Sequence, residues 1–182
     1  MVCPQDAIRE VPQEIGTVET GYAGNLRFVQ GYLDIEQVKT PAVIRAVKQH
    51  IGDTDLAIVD APPGTSCPVV ETLDGIDYLV LVTEPTPFGV HDLQIMVDMA
   101  RVLHLPFGIV VNRAGWGDRE VYRYAEKEKI DLIGEIPGSR AIATAYSKGQ
   151  LVIDALPQYR SLYAQIAEAI AQNLTKSYQV VS

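Results

Sequence analysis

A chain of 182 residues holds one substantial core and falls short of two ordinary domains. Its 47% hydrophobic and 21% charged content suits a soluble globular protein, no run of about 18 apolar residues could span a bilayer, and "MVCPQDAIRE" lacks the apolar stretch of a signal peptide, so the chain reads as cytoplasmic. A net charge of −8 argues against a nucleic-acid or anionic-membrane surface, and two cysteines are too few for a disulfide framework or a self-contained zinc or iron–sulfur site.

Residues 1–14 are irregular and hold Pro4 and Pro12. Residues 15–33, rich in Gly, Thr, Tyr and Val, predict two short strands around the turn "YAGN". Thr40 reads as the N-cap of a helix with Pro41 at its first position. Val43, Ile44, Val47 and Ile51 follow at helical spacing, and Gly52 ends the run. Four apolar runs then predict strands: "LAIVDA" (56–61), "YLVLVT" (78–83), "FGIVVN" (107–112) and "IDLIGEI" (130–136). Runs without polar alternation suit parallel strands covered on both faces. Between them lie helices. Val90, Leu93, Val97, Ala100 and Leu103 make one apolar stripe, residues 118–129 a polar helix with Asp118 as cap, and residues 139–148 a short one. In the last helix Leu162, Ile166, Ile170 and Leu174 recur every four residues. This alternation implies an α/β fold with a doubly wound, mainly parallel sheet. A dinucleotide fingerprint is missing, since "GTVETG" has the wrong spacing and lies in the hairpin.

In an open parallel sheet, ligands bind at the carboxyl ends of the strands. Four such ends can be read: Asp60 with "APPGTS", "TEPTPFG" (83–89), "NRAGWG" (112–117) and "PGSRAIATA" (137–145). Any one could be an ordinary polar turn, whereas four together suggest a ligand-binding rim. Asp60 follows four apolar residues, and a buried unpaired carboxylate is costly. Mg²⁺ held through water would relieve it, and so would a role as helix cap. Gly64 could bring its bare N–H close to a γ-phosphate or serve as a turn glycine. Thr65 and Ser66 read first as caps of the helix near Cys67. Asn112 could pair with an adenine edge or form an Asx-turn. His91 and His104 read as surface or helix-end residues, Trp116 as a loop anchor and Cys67 as a small buried residue.

Together these residues resemble a MinD/Mrp-type P-loop ATPase, and more narrowly the MinD-superfamily ATPases that carry an inserted ferredoxin domain. "VDAPPGTSCPVVETL" is similar to that group's switch II segment and "LVTEPTPFGVHDLQ" to its next strand–loop–helix unit. "GIVVNR" is similar to the strand ending in the base-contacting Asn, and "IGEIPGSRAIATAYSKGQLV" to the loop that closes over adenine. "NLRFVQGYLDIEQ" resembles the stretch leading back from the insert. The resemblance implies a P-loop NTPase (SIMIBI-like) fold binding ATP or ADP with Mg²⁺. In it Asp60 orders the metal's water shell, Gly64 senses the γ-phosphate, and Asn112, Arg113, Pro137, Gly138 and Ser139 hold the base. "CPQDAI" has the form of the last cysteine of a bacterial ferredoxin run, which implies that Cys3 ligates a [4Fe–4S] cluster in the full-length protein; an incidental Cys-Pro is the alternative.

One departure is serious. The Walker A loop G-x-x-x-x-G-K-[ST] is missing, as are its second lysine and the switch I aspartate. The expectation is therefore a C-terminal portion: residues 1–14 the tail of a ferredoxin module, residues 15–182 part of one NTPase domain. By itself it would neither hydrolyse ATP nor bind it tightly, and it would expose strand edges that invite self-association. The parent would be a homodimeric ATPase engaged in iron–sulfur cluster carriage or nucleotide-gated electron transfer, with an iron–sulfur or redox client. Two alternatives remain open: a degenerate, non-catalytic interaction module, and a ligase-like relative of the dethiobiotin and cobyrinate synthetases. The C-terminal helix, with Gln165, Glu168 and Gln172 on its polar face, lacks the basic character of a membrane anchor.

Overall fold

The computed structural model describes residues 11–37, 39–52, 54 and 56–181, the last six by backbone alone. The chain divides after Asp74 into two compact units.

The first unit opens with an antiparallel hairpin, β1 (Gly16–Ala23) and β2 (Leu26–Leu33), in register from Gly16 opposite Leu33 to Ala23 opposite Leu26. Gly24, with φ +59°, supplies the left-handed backbone that a two-residue hairpin turn demands. Helix α1 (Thr40–Lys48) packs on the hairpin and on α2 (Cys67–Leu73). Thr40 is its first residue rather than its cap: Lys39 occupies the cap position and bonds no amide through its side chain. The helix also stops three residues short of Ile51. The Lys48 ammonium donates to the carbonyls of Glu71 (3.0 Å), Thr72 (3.3 Å) and Asp74, a cation at the carbonyl end of α2 where the helix dipole favours one. Arg45 pairs with Glu71 at 2.7 Å.

The run at 56–61 forms no strand, contrary to its apolar composition. Leu56 is 65% and Ile58 89% exposed. A strand exists only where a neighbour completes its hydrogen-bond ladder, and among the described residues nothing pairs with this segment.

The second unit holds a parallel sheet in the order β3 (Leu79–Thr83), β4 (Phe107–Ala114), β5 (Leu132–Pro137). Leu81 lies opposite Ile109 and Val111 opposite Glu135. The crossovers are α3 (Pro87–Val102) and α4 (Glu120–Glu128), which pack on each other. The predicted stripe on α3 is the buried one: Leu93, Val97 and Ala100 face inward, and α3 lies on β3. Leu103 falls just past the helix end and is exposed. Ile109 and Val111 on β4 are fully buried.

The chain continues through α5 (Arg140–Ser147), α6 (Val152–Ala155), a 3₁₀ turn (Pro157–Tyr159) and α7 (Arg160–Val181). Helix α7 packs on β5, where Ile166 joins Val110 and Ile133, with Leu162, Ala169 and Ile170 around them. Helices therefore cover both faces of the sheet, as a doubly wound fold requires. The short α6 and the 3₁₀ turn carry no periodicity and were not foreseen. No helix among the described residues is long and apolar enough to cross a membrane.

Candidate functional site

At the carboxyl ends of β3, β4 and β5 the three following loops are tied to one another. The Asp118 N–H donates to the Pro85 carbonyl at 3.1 Å, and the Gly138 N–H to the Ala114 carbonyl at 2.8 Å. The β4–β5 ladder is irregular here: Asn112 and Arg113 together stand opposite the single residue Ile136, a bulge that re-aims both side chains. Arg113 adopts a left-handed backbone, φ +55°. Its guanidinium forks onto the Glu84 carboxylate, Nη1 donating to Oε2 at 3.3 Å while Nε lies 3.2 Å from Oε1. The Trp116 N–H closes a turn onto the Arg113 carbonyl at 3.1 Å. A Cβ at Gly138 would overlap the five-membered ring of Trp116, so only glycine lets the indole lie there. Pro137 ends β5, and the Ser139 hydroxyl accepts from the Ile142 N–H at 3.4 Å, capping α5.

The structure thus brings together five of the predicted site residues, Asn112, Arg113, Pro137, Gly138 and Ser139. Trp116, a loop anchor by its sequence, lies with its indole against Gly138 in this rim. Its signal in the sequence was an aromatic flanked by Gly115 and Gly117 in a strand-end loop.

Asp60 and Gly64 belong to the first unit. Asp60 is exposed in an irregular segment, which corrects the picture of a carboxylate at the tip of a buried strand. The cost of burial therefore gives no reason for a metal at Asp60. Gly64 does take a left-handed conformation, φ +88°, with open space where a Cβ would stand. Ser66 occupies the cap position of α2 without a side-chain bond, its carbonyl accepting from the N–H groups of Val69 (2.9 Å) and Val70 (3.2 Å). Cys67 is exposed rather than buried, because it stands in the first turn of α2, whose inward residues are Val69, Thr72 and Leu73. Arg119, not the expected Asp118, holds the cap position of α4; Asp118 stands one residue earlier and accepts from the Glu120 N–H at 2.9 Å. His91 and His104 are exposed, the latter just beyond α3. Cys3 lies outside the described residues.

Among the described residues no three His, Cys, Asp or Glu side chains gather as a metal cage. A single carboxylate such as Asp60 suits Mg²⁺ only when phosphates and water fill its other positions, the habit of that ion with nucleotides.

No protein-family profile matches the chain. An uncharacterised protein of Methanocaldococcus jannaschii is 33% identical over 131 residues, a match covering 68% of this chain and 45% of that protein. The iron-sulfur cluster carrier protein of the same organism is 30% identical over 126 residues, 61% of this chain and 41% of that protein. The chain spans less than half the length of these curated relatives. Among solved structures, the septum site-determining protein MinD of Pyrococcus horikoshii, complexed with Mg-ADP, superposes with a TM-score of 0.56 at 22% identity over 72% of this chain and 54% of that one. The cell division ATPase MinD of Pyrococcus furiosus gives 0.55 at 21% identity over 79% and 58%. Over the residues matched, the chain has the α/β fold of the MinD structures, and in sequence it is similar to iron-sulfur cluster carrier proteins.

Proposed function

We propose that this chain supplies the base-binding rim and the switch segment of a cytoplasmic, MinD-like ATPase that carries iron–sulfur clusters. The observation that supports the reading is the interlocked rim. Three strand-end loops meet on one edge of a parallel sheet, with the bulged Asn112 and Arg113 beside the 137–139 loop. Adenine would sit there, its edge read by the Asn112 amide beside the loop of Pro137, Gly138 and Ser139. Asp60 would order the water shell of Mg²⁺ and Gly64 would donate its N–H to the γ-phosphate. Hydrolysis would then shift residues 62–68 as a switch. Mg²⁺ supplies electrophilic charge to the phosphates; the chain's own residues orient water and hold the base.

The residues that cradle the α- and β-phosphates are absent from these 182 residues, which contain no G-x-x-x-x-G-K-[ST] loop. The full-length gene product would provide that loop from a further segment, along with the remaining ligands of a [4Fe–4S] cluster that Cys3 would help to hold. It would act as a homodimer. A GKGGxGKT-like stretch and three further cysteines in the same reading frame upstream of codon 1 would support this organisation, and their absence would favour a non-catalytic module. The function itself is tested by MgATP binding and hydrolysis in the full-length protein. Asn112→Ala should weaken MgATP binding and leave tripolyphosphate binding unchanged; equal affinity for MgATP in both proteins would refute the assignment. Turnover that requires a small organic acid would point instead to the ligase-like reading.

A further inference from the structure

Trp116 is the one tryptophan of the chain, and the fold leaves it conspicuously uncovered. It is 56% exposed although large aromatic side chains are normally drawn inward. Its exposure is built, not incidental. Gly115, with φ +86°, and the turn from the Trp116 N–H to the Arg113 carbonyl set where the side chain leaves the loop. Gly138 then gives the indole a flat seat, since any side chain there would lift the ring away. The bond from the Gly138 N–H to the Ala114 carbonyl holds that seat in place. One face of the ring is therefore fixed against the 137–139 loop and the rest faces solvent. The neighbouring cation does not compete for the position, because the Arg113 guanidinium is engaged by Glu84. What the rim offers at this point is an uncharged, planar surface in the loop that follows Asn112, seated on Gly138.

We infer that Trp116 is a base-binding residue: its open face stacks on the purine ring of the nucleotide, while Asn112 reads the ring's edge. The inference rests on the nucleotide reading above and adds to it a residue and a mode of contact. Stacking of a base on an aromatic side chain tolerates either purine, so Trp116 supplies affinity and Asn112 selectivity.

The test uses the full-length protein, its Trp116→Ala and Trp116→Phe variants, and two titrants, MgATP and magnesium tripolyphosphate, followed by calorimetry and by the emission that disappears in Trp116→Phe. The expected result is quenching of that emission by MgATP and not by tripolyphosphate. Trp116→Ala should bind MgATP about tenfold more weakly, Trp116→Phe should recover most of the loss, and tripolyphosphate affinity should not change. Equal loss of affinity for both titrants would show that the indole only shapes the loop and would overturn the inference. So would wild-type MgATP affinity in Trp116→Ala with no quenching, an outcome that leaves the nucleotide reading standing. Failure of the wild-type protein to bind MgATP at all would overturn both.

Discussion

Two segments carry the same kind of sequence, an apolar run that ends in a polar turn, and they fold differently. "FGIVVN" becomes β4, central in its sheet, with Ile109 and Val111 fully buried. "LAIVDA" becomes no strand at all and leaves Ile58 exposed. Composition does not separate them. The difference is that β4 has β3 on one side and β5 on the other, so each backbone polar group finds a partner, whereas residues 56–61 have none among the described residues. Along β3 the two faces differ: Val82 is 63% exposed, whereas Leu81 and Thr83, which point to the other face, are buried.

The contrast can be broken most forcefully at Asp60. In the full-length protein Asp60→Asn should lower Mg²⁺-dependent ATP turnover by roughly 100-fold, while the melting temperature stays put because the residue is exposed. Wild-type turnover would remove Asp60 from the chemistry. Next in size is the structural side of the comparison. Ile109→Ala empties a fully buried site and should cost about 3 kcal/mol, whereas Ile58→Ala should change stability by less than about 0.5 kcal/mol. Thermal melts of the two variants side by side decide it; equal losses would mean that residues 56–61 are packed after all.

Smaller effects probe the second unit. Gly138→Ala must displace the Trp116 ring and should cost about 1–3 kcal/mol, with a shifted tryptophan emission as its signature. Tyr78→Phe removes a hydroxyl that accepts a hydrogen bond from Asn173 at 3.2 Å and should cost about 1 kcal/mol. Burial lifts the Tyr78 hydroxyl above its ordinary value of 10.0, against the bond from Asn173 and with the Asp131 charge. Its contribution is therefore intact below about pH 10 and falls as pH rises through the raised value. The variant should accordingly show a shallower alkaline loss of stability. Least of all, Glu84→Gln should cost no more than about 1 kcal/mol, because the pair with Arg113 is largely exposed and screened.

Much of the second unit was legible in the sequence. Apolar runs located β3 and β4, and a weaker run broken by Asp131 and Glu135 located β5; the three- and four-residue spacing in α3 and the four-residue spacing in α7 found their buried faces, because periodicity reports burial directly. The hairpin turn was legible from "YAGN" for the same local reason. What failed was non-local. No property of "LAIVDA" itself discloses whether a neighbouring strand exists, and the expected burial of Asp60 failed with it. Cys67 was misplaced because the rotation of the short α2 depends on its contact with α1. The loops after β3, β4 and β5 were legible from their residue types, the fourth strand end expected at Asp60 was not found, and the seat of Trp116 on Gly138 joins positions 22 residues apart and shows only in three dimensions.

We propose that nucleotide binding protects both the segment around Asp60 and the rim around Asn112. Hydrogen exchange of the full-length protein, with and without MgADP, tests it directly. Slowed exchange is expected in peptides covering 60–66 and, at the same ligand concentration, in those covering 112–118 and 137–140. Protection confined to one of these regions, or to neither while MgADP is bound, would contradict it.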